Sequence, residues 1–152
     1  FNVAPLHYVL YLLMPVLAYS CANLVTKQVA GKIDIETLLR LGLLVTVVGA
    51  ITLSGLVFSG FQGAVSLSLA MAVTTFGLGP VFAIVPMRAL GSAGGSIGVA
   101  SALVSTIPPI MGGLASASLS VLHDGTSRPL AITVLGMLFI AGFAYWISLR
   151  QA

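Results

Sequence analysis

The chain has 152 residues, of which 59% are hydrophobic and only 6% charged, with a formal net charge of +3. A soluble domain carries about a quarter charged residues, so this composition excludes a water-facing surface all round. Six basic residues against three acids are better read as membrane-topology signals than as nucleic-acid contacts, and the mean hydropathy is +1.15.

Five apolar runs occupy the chain, at roughly 3–26, 38–58, 64–87, 97–122 and 129–149, and none carries an acidic residue. Each is about as long as the ~20 residues a helix needs to cross a ~30 Å hydrocarbon core. Transmembrane strands are half that length and alternate polar with apolar residues. The expected fold is therefore an all-α integral membrane protein, a single membrane domain of five transmembrane helices.

The first run has two faces. At 100° per residue, Tyr8, Tyr11, Pro15, Tyr19, Asn23 and Thr26 share one arc, while Leu6, Leu10, Leu13, Leu17, Cys21 and Leu24 share the opposite one. The aliphatic arc suits lipid. The aromatic and amide arc suits protein or a cavity, although Tyr8 and Tyr11 also fit an outer interfacial belt. His7, near the outer end, reads as an interfacial histidine, and Cys21, the one cysteine, as a packed thiol. The connection at 27–37 holds Lys27, Lys32, Asp34 and Glu36, and Arg40 follows at the start of the second run. The loop at 59–63 carries no charge.

Prolines mark the next two runs. Pro80 and Pro86, with Gly77 and Gly79 nearby, interrupt the third; Pro108 and Pro109, followed by Gly112 and Gly113, interrupt the fourth. Each internal proline removes a backbone hydrogen bond, and a freed carbonyl at membrane depth is tolerated where it is buried or lines a cavity. These four prolines are the candidate gating positions. The fourth run also bears a stripe of small residues, Gly94, Gly98, Ser101, Ser105 and Gly112, which suits close helix packing. No Lys-Ser/Thr follows the glycines at 91–98 and no strand precedes them, so they form no nucleotide loop. The turn His123–Arg128 has Gly125 for positive φ, and Pro129 suits a first helical turn.

The basic residues fall on alternate connections. Lys27, Lys32, Arg40, Arg88 and Arg150 share one side and Arg128 the other, which places the C-terminus in the cytoplasm. Enzyme chemistry fails on inventory. The acids and histidines are scattered over both membrane faces, with no metal-ligand spacing and no nucleophile–base–acid set. No catalytic residue, metal or cofactor is expected.

Several stretches carry a family likeness. They are Gly77-Leu-Gly79 at the start of a proline-bearing segment, Gly98-Val-Ala-Ser-Ala-Leu103 against a G-x-A-S-A-L pattern, His123-Asp-Gly-Thr126, Pro129-Leu-Ala131, and Asn23 ahead of the basic connection. On these the whole chain resembles the C-terminal part of major facilitator superfamily transporters, in particular the Bcr/CflA drug-resistance family of drug:H+ antiporters. Between Gly77 and Ala131 the match needs no gap. The alternative placement in the N-terminal half lacks the G-x-L-A-D-R-x-G-R-R pattern expected after helix two.

The resemblance implies helices eight to twelve of a twelve-helix multidrug efflux transporter in the bacterial inner membrane. It also implies a missing N-terminal bundle as partner, carrying the proton-coupling acid, and small amphipathic drugs exchanged for protons by alternating access. Where the family tends to have a polar residue near Pro108 and a Pro-Asn pair near Ala83, this chain is apolar or proline, which leaves the substrate open. Tyr11, Tyr19, Asn23, Thr74, Thr75 and Phe76 are the candidate cavity-lining residues, with core packing the competing role for Phe76. Two other readings stay open on the residues. One is a non-transporting membrane subunit that oligomerises through the small-residue stripe. The other is uptake of another small solute by the same fold, which calls for more polar groups on the proline-bearing helices.

Overall fold

The computed structural model describes residues 5–61, 63–122 and 128–151. It contains five helices, α1 Pro5–Val29, α2 Ile35–Phe58, α3 Ala64–Gly91, α4 Ile97–Val121 and α5 Arg128–Gln151. Among the described residues there is no strand, only an isolated bridge between Ala30 and Ile33 in the first turn. Helices α1 to α4 are each long and apolar enough to cross a membrane, and α5 contributes the apolar stretch Arg128–Phe143 among its described residues. The chain is an all-α, membrane-embedded protein. The side chains of His7 and Tyr8, and the turn at 123–127 with Gly125, lie outside the described residues.

The helices outrun the apolar runs. α2 begins at Ile35 because Asp34 caps it: its Oδ2 accepts a hydrogen bond from the Glu36 backbone N–H at 3.2 Å. Glu36 then sits in the first turn, where the positive end of the helix dipole favours a carboxylate. What composition marks as a loop is thus mostly helix, and the true turn narrows to a few residues around Gly31, whose φ of +92° suits glycine. The helices continue through Pro15, Pro80, Pro86, Pro108 and Pro109 rather than breaking there.

α3 is the hub of the bundle, packing closely on α2 and on α1, which scarcely touch each other. Glycines make this possible. A Cβ at Gly42 would lie 2.9 Å from the Gly77 carbonyl oxygen, and one at Gly49 would lie 2.6 Å from the Thr74 backbone nitrogen. A Cβ at Gly77 would strike Thr46 and stand 2.6 Å from the Gly42 carbonyl oxygen, and one at Gly79 would stand 2.5 Å from the Ala22 Cβ. Lipid tails are as apolar as leucine, so close backbone approach, rather than burial from water, drives this association. Two apolar clusters close the ends. Leu53, Val57, Leu67, Ala70 and Ala131 join α2, α3 and α5; Leu38, Leu39 and Ile84 join α2 and α3, with Val29 of α1 beside them. Several buried hydroxyls bond within their own helices, as Thr26 does to the Ala22 carbonyl (2.7 Å), Thr46 to Gly42 (2.9 Å) and Ser54 to Ala50 (2.8 Å), whereas the buried Thr133 Oγ1 of α5 has no partner among the described residues. Without such partners each hydroxyl would carry a desolvation penalty in hydrocarbon.

On the polar arc of α1 Thr26 is buried, Tyr11, Pro15 and Asn23 are half-buried and Tyr19 is exposed, while on the opposite arc Leu10, Leu13, Leu17, Cys21 and Leu24 are exposed. Cys21 therefore faces outward rather than into the packed interior. α4 is the outlier. It has no buried residue, and a Cβ at Gly94, Gly98 or Gly112 would meet nothing within 4 Å. Ser101 and Ser105 are exposed beside them. Among the described residues the small-residue stripe packs against nothing, and the close-approach glycines are those of α2 and α3.

Candidate functional site: an apolar groove between α3 and α4

Where α3 and α4 diverge, they enclose an open groove of about 560 Å³. Phe82, Val85, Pro86 and Ala89 form the α3 wall; Val99, Leu103, Val104, Ile107 and Pro108 form the α4 wall; Ser92 and Ser96 lie at the connecting end. The polar side chains there are already engaged. Ser92 Oγ donates to the Ala89 carbonyl at 3.2 Å and Ser96 Oγ to the Ala93 carbonyl at 2.8 Å. The groove is accordingly a hydrocarbon surface with few handles.

Pro86 has no N–H, so the Phe82 carbonyl four residues before it loses its helical donor, and Pro108 does the same to Val104. Phe82 and Val104 both line the groove, on opposite walls. Two proline-bearing helices thus flank an apolar trough, and a proline's freed carbonyl is tolerated at membrane depth where it faces a cavity or protein. Phe82 also packs edge-on against Tyr19 of α1, with ring centroids 6.3 Å apart and an interplanar angle of 81°. That contact connects α1 to the same region.

The sequence-derived candidates divide among several surfaces. Tyr19 borders the groove through Phe82, and Pro86 and Pro108 line it. Thr75 instead faces α1, where its hydroxyl lies 3.1 Å from the Pro15 carbonyl oxygen and 2.9 Å from that of Met71. Thr74 faces α2 against Gly49, with its hydroxyl donating to the Ala70 carbonyl at 2.9 Å. These two threonines are helix-packing residues in this arrangement. Tyr11 and Asn23 are half-buried on α1, Phe76 is 37% exposed, Pro80 packs on Gly42, and Pro109 is exposed. Phe82, Val85 and Val104 were not anticipated from sequence. The signal was present in the positions four residues before Pro86 and Pro108.

Charge gathers at one end. Arg88, in the last turn of α3, meets Glu36 at 2.7 Å, and Arg40 approaches the other oxygen of Glu36 at 3.5 Å. Glu36 thereby ties the start of α2 to the end of α3. Among the described residues no group of three His, Cys, Asp or Glu side chains could hold a metal ion. Comparison with known protein families, with curated proteins and with solved structures finds no match to this chain.

Proposed function

We propose that the chain forms part of a membrane transporter that exports small amphipathic molecules in exchange for protons, in the manner of the antiporters it resembles. The observation that carries this reading is the groove between α3 and α4, with Pro86 and Pro108 on facing walls and Phe82 and Val104 beside them. An apolar trough of this kind suits loose binding of greasy small molecules. The described acids Asp34, Glu36 and their basic neighbours lie at the helix ends, so the proton-coupling group is assigned to a second helical bundle outside this chain. The rest of the proposal is a bacterial inner-membrane location, a cytoplasmic C-terminus and rocking of two bundles about a shared site. The side preference of the basic residues and the family likeness support it.

The experiment is resistance and dye efflux in cells lacking their own exporters, expressing the whole protein with Val104→Phe or Phe82→Ala. Val104→Phe should narrow the groove and lower efflux of larger substrates at unchanged expression. Efflux unchanged in both variants would remove the groove from the transport path. A second reading, an oligomerising subunit without transport activity, is favoured by one observation: α4 has no buried residue although it carries the small-residue stripe. A concentration-dependent oligomer abolished by Gly98→Leu, together with no efflux, would select it.

A further inference from the structure

α2 and α5 meet at one end only. There Leu53 and Val57 of α2 share a core with Ala131 of α5, and Val134 packs beside them. Toward the basic end the helices leave a second groove of about 550 Å³, lined by Leu43, Leu44, Val47, Leu138, Ala141 and Gly142, with Arg40 at its rim. We propose that this groove binds a phospholipid with an anionic headgroup, its acyl chain along the leucines and its phosphate at Arg40. The inference is independent of the transport reading.

Three observations support it. The wall is aliphatic from Leu43 to Val47, and from Arg40 to Val47 it rises about 10 Å along the helix, enough for the upper part of an acyl chain. The floor is open because Gly142 has no side chain, and a Cβ added there would meet nothing within 4 Å. Arg40 is available to a headgroup, with its side chain 63% exposed and only its Nε approaching Glu36, at 3.5 Å. Glu36 is shared with Arg88, which holds its other oxygen at 2.7 Å, so one carboxylate serves two guanidinium groups and cannot neutralise both. In the adjoining connection Lys27 and Lys32 outnumber Asp34, so this end stays net positive. A basic residue at the mouth of an apolar crevice between membrane helices selects anionic headgroups, because the phosphate gains a charge-assisted contact while the tail stays in hydrocarbon. A zwitterionic lipid fits the same trough but its headgroup carries no net charge to attract.

The test is native mass spectrometry of the whole protein in non-ionic detergent with equimolar phosphatidylglycerol and phosphatidylcholine. The wild type should retain phosphatidylglycerol over phosphatidylcholine by about fivefold, the preference expected from one basic residue near the headgroup. Arg40→Gln should bring the ratio close to one, and Arg40→Lys should keep most of it. Gly142→Leu, which adds bulk into open space, should lower retention of both lipids with helicity and elution volume unchanged. Equal retention of the two lipids by the wild type, or a ratio insensitive to Arg40→Gln, would overturn the proposal. So would full retention in Gly142→Leu. Loss of the preference in millimolar inorganic phosphate would mark a bare anion site instead, and absence of bound lipid would mean that another part of the protein fills the groove.

Discussion

Replacing Gly77 by alanine tests how the bundle is held together. The added Cβ would strike the backbone nitrogen and hydroxyl of Thr46 and stand 2.6 Å from the Gly42 carbonyl oxygen. Two of those three atoms are backbone, so no side-chain rotation relieves the clash, and α2 and α3 must part by roughly 1 Å to restore ordinary contact. Overpacking of this kind costs ~1–3 kcal/mol. Parting the helices also weakens the neighbouring close contacts at Gly42 and Gly49, since a gap of 0.5–1 Å forfeits a quarter to a half of each dispersion well. The total is set at ~3 kcal/mol, or a fall of ~6–12 °C in Tm for a chain of this size. The assay is thermal unfolding of the purified protein in mild detergent, followed by loss of the monodisperse chromatographic peak. Gly98→Ala is the control, because its Cβ meets nothing within 4 Å, and it should move Tm by no more than ~2 °C. A Gly77→Ala protein as stable as the wild type, or a Gly98→Ala protein equally destabilised, would refute the assignment of the packed interface to α2 and α3.

Thr75→Val removes the hydroxyl shared with Pro15 and should cost ~0.6 kcal/mol, the average for such bonds in membrane bundles, whereas Thr75→Ser should be recovered near wild type in the same thermal assay. Glu36→Gln and Arg88→Gln should each lower stability by no more than ~1 kcal/mol, because the pair is partly exposed. Their double variant should show a non-additive cycle that shrinks at high salt, and strict additivity would mean that the pair contributes nothing. Asn23→Leu, half-buried on the polar arc of α1, should change the range of exported compounds more than it changes expression in the resistance assay. An unchanged range would remove Asn23 from the cavity wall.

The fold was legible because hydrocarbon imposes so few solutions. Runs of about 20 apolar residues without an acid leave only helices; which helices pair was not readable, since α1 packs on α3 and scarcely on α2, its neighbour in the chain. The polar arc of α1 was readable in part, since Thr26 is buried and Leu10, Leu17 and Leu24 are not, but Tyr19 on the same arc is exposed. Helix ends were less so, because composition stops at the last apolar residue whereas Asp34 caps a helix that begins among charges. The packing surface was harder still. Stripes of small residues occur on α2, α3 and α4, and sequence spacing cannot say which finds a partner; Gly42, Gly49 and Gly77 do, Gly98 and Gly112 do not. The candidate site suffered from the same ambiguity. Thr74 and Thr75 are polar in an apolar helix, which marks a cavity or a helix contact equally well, and their neighbours Gly49 and Pro15 assign them to contacts.

The central place of α3 sets a timetable for assembly. α1 and α2 reach each other chiefly through α3, and the bond from Thr75 to the Pro15 carbonyl spans 60 residues of chain. At ~5–20 residues per second of synthesis, α1 waits ~3–12 s in the membrane before that partner exists. During this interval the polar arc with Tyr11, Asn23 and Thr26 faces lipid or whatever protein guards it. α3 is therefore the step at which a set of separately inserted helices becomes a bundle, and a ribosome stalled before Gly77 would leave the first two helices without their common partner.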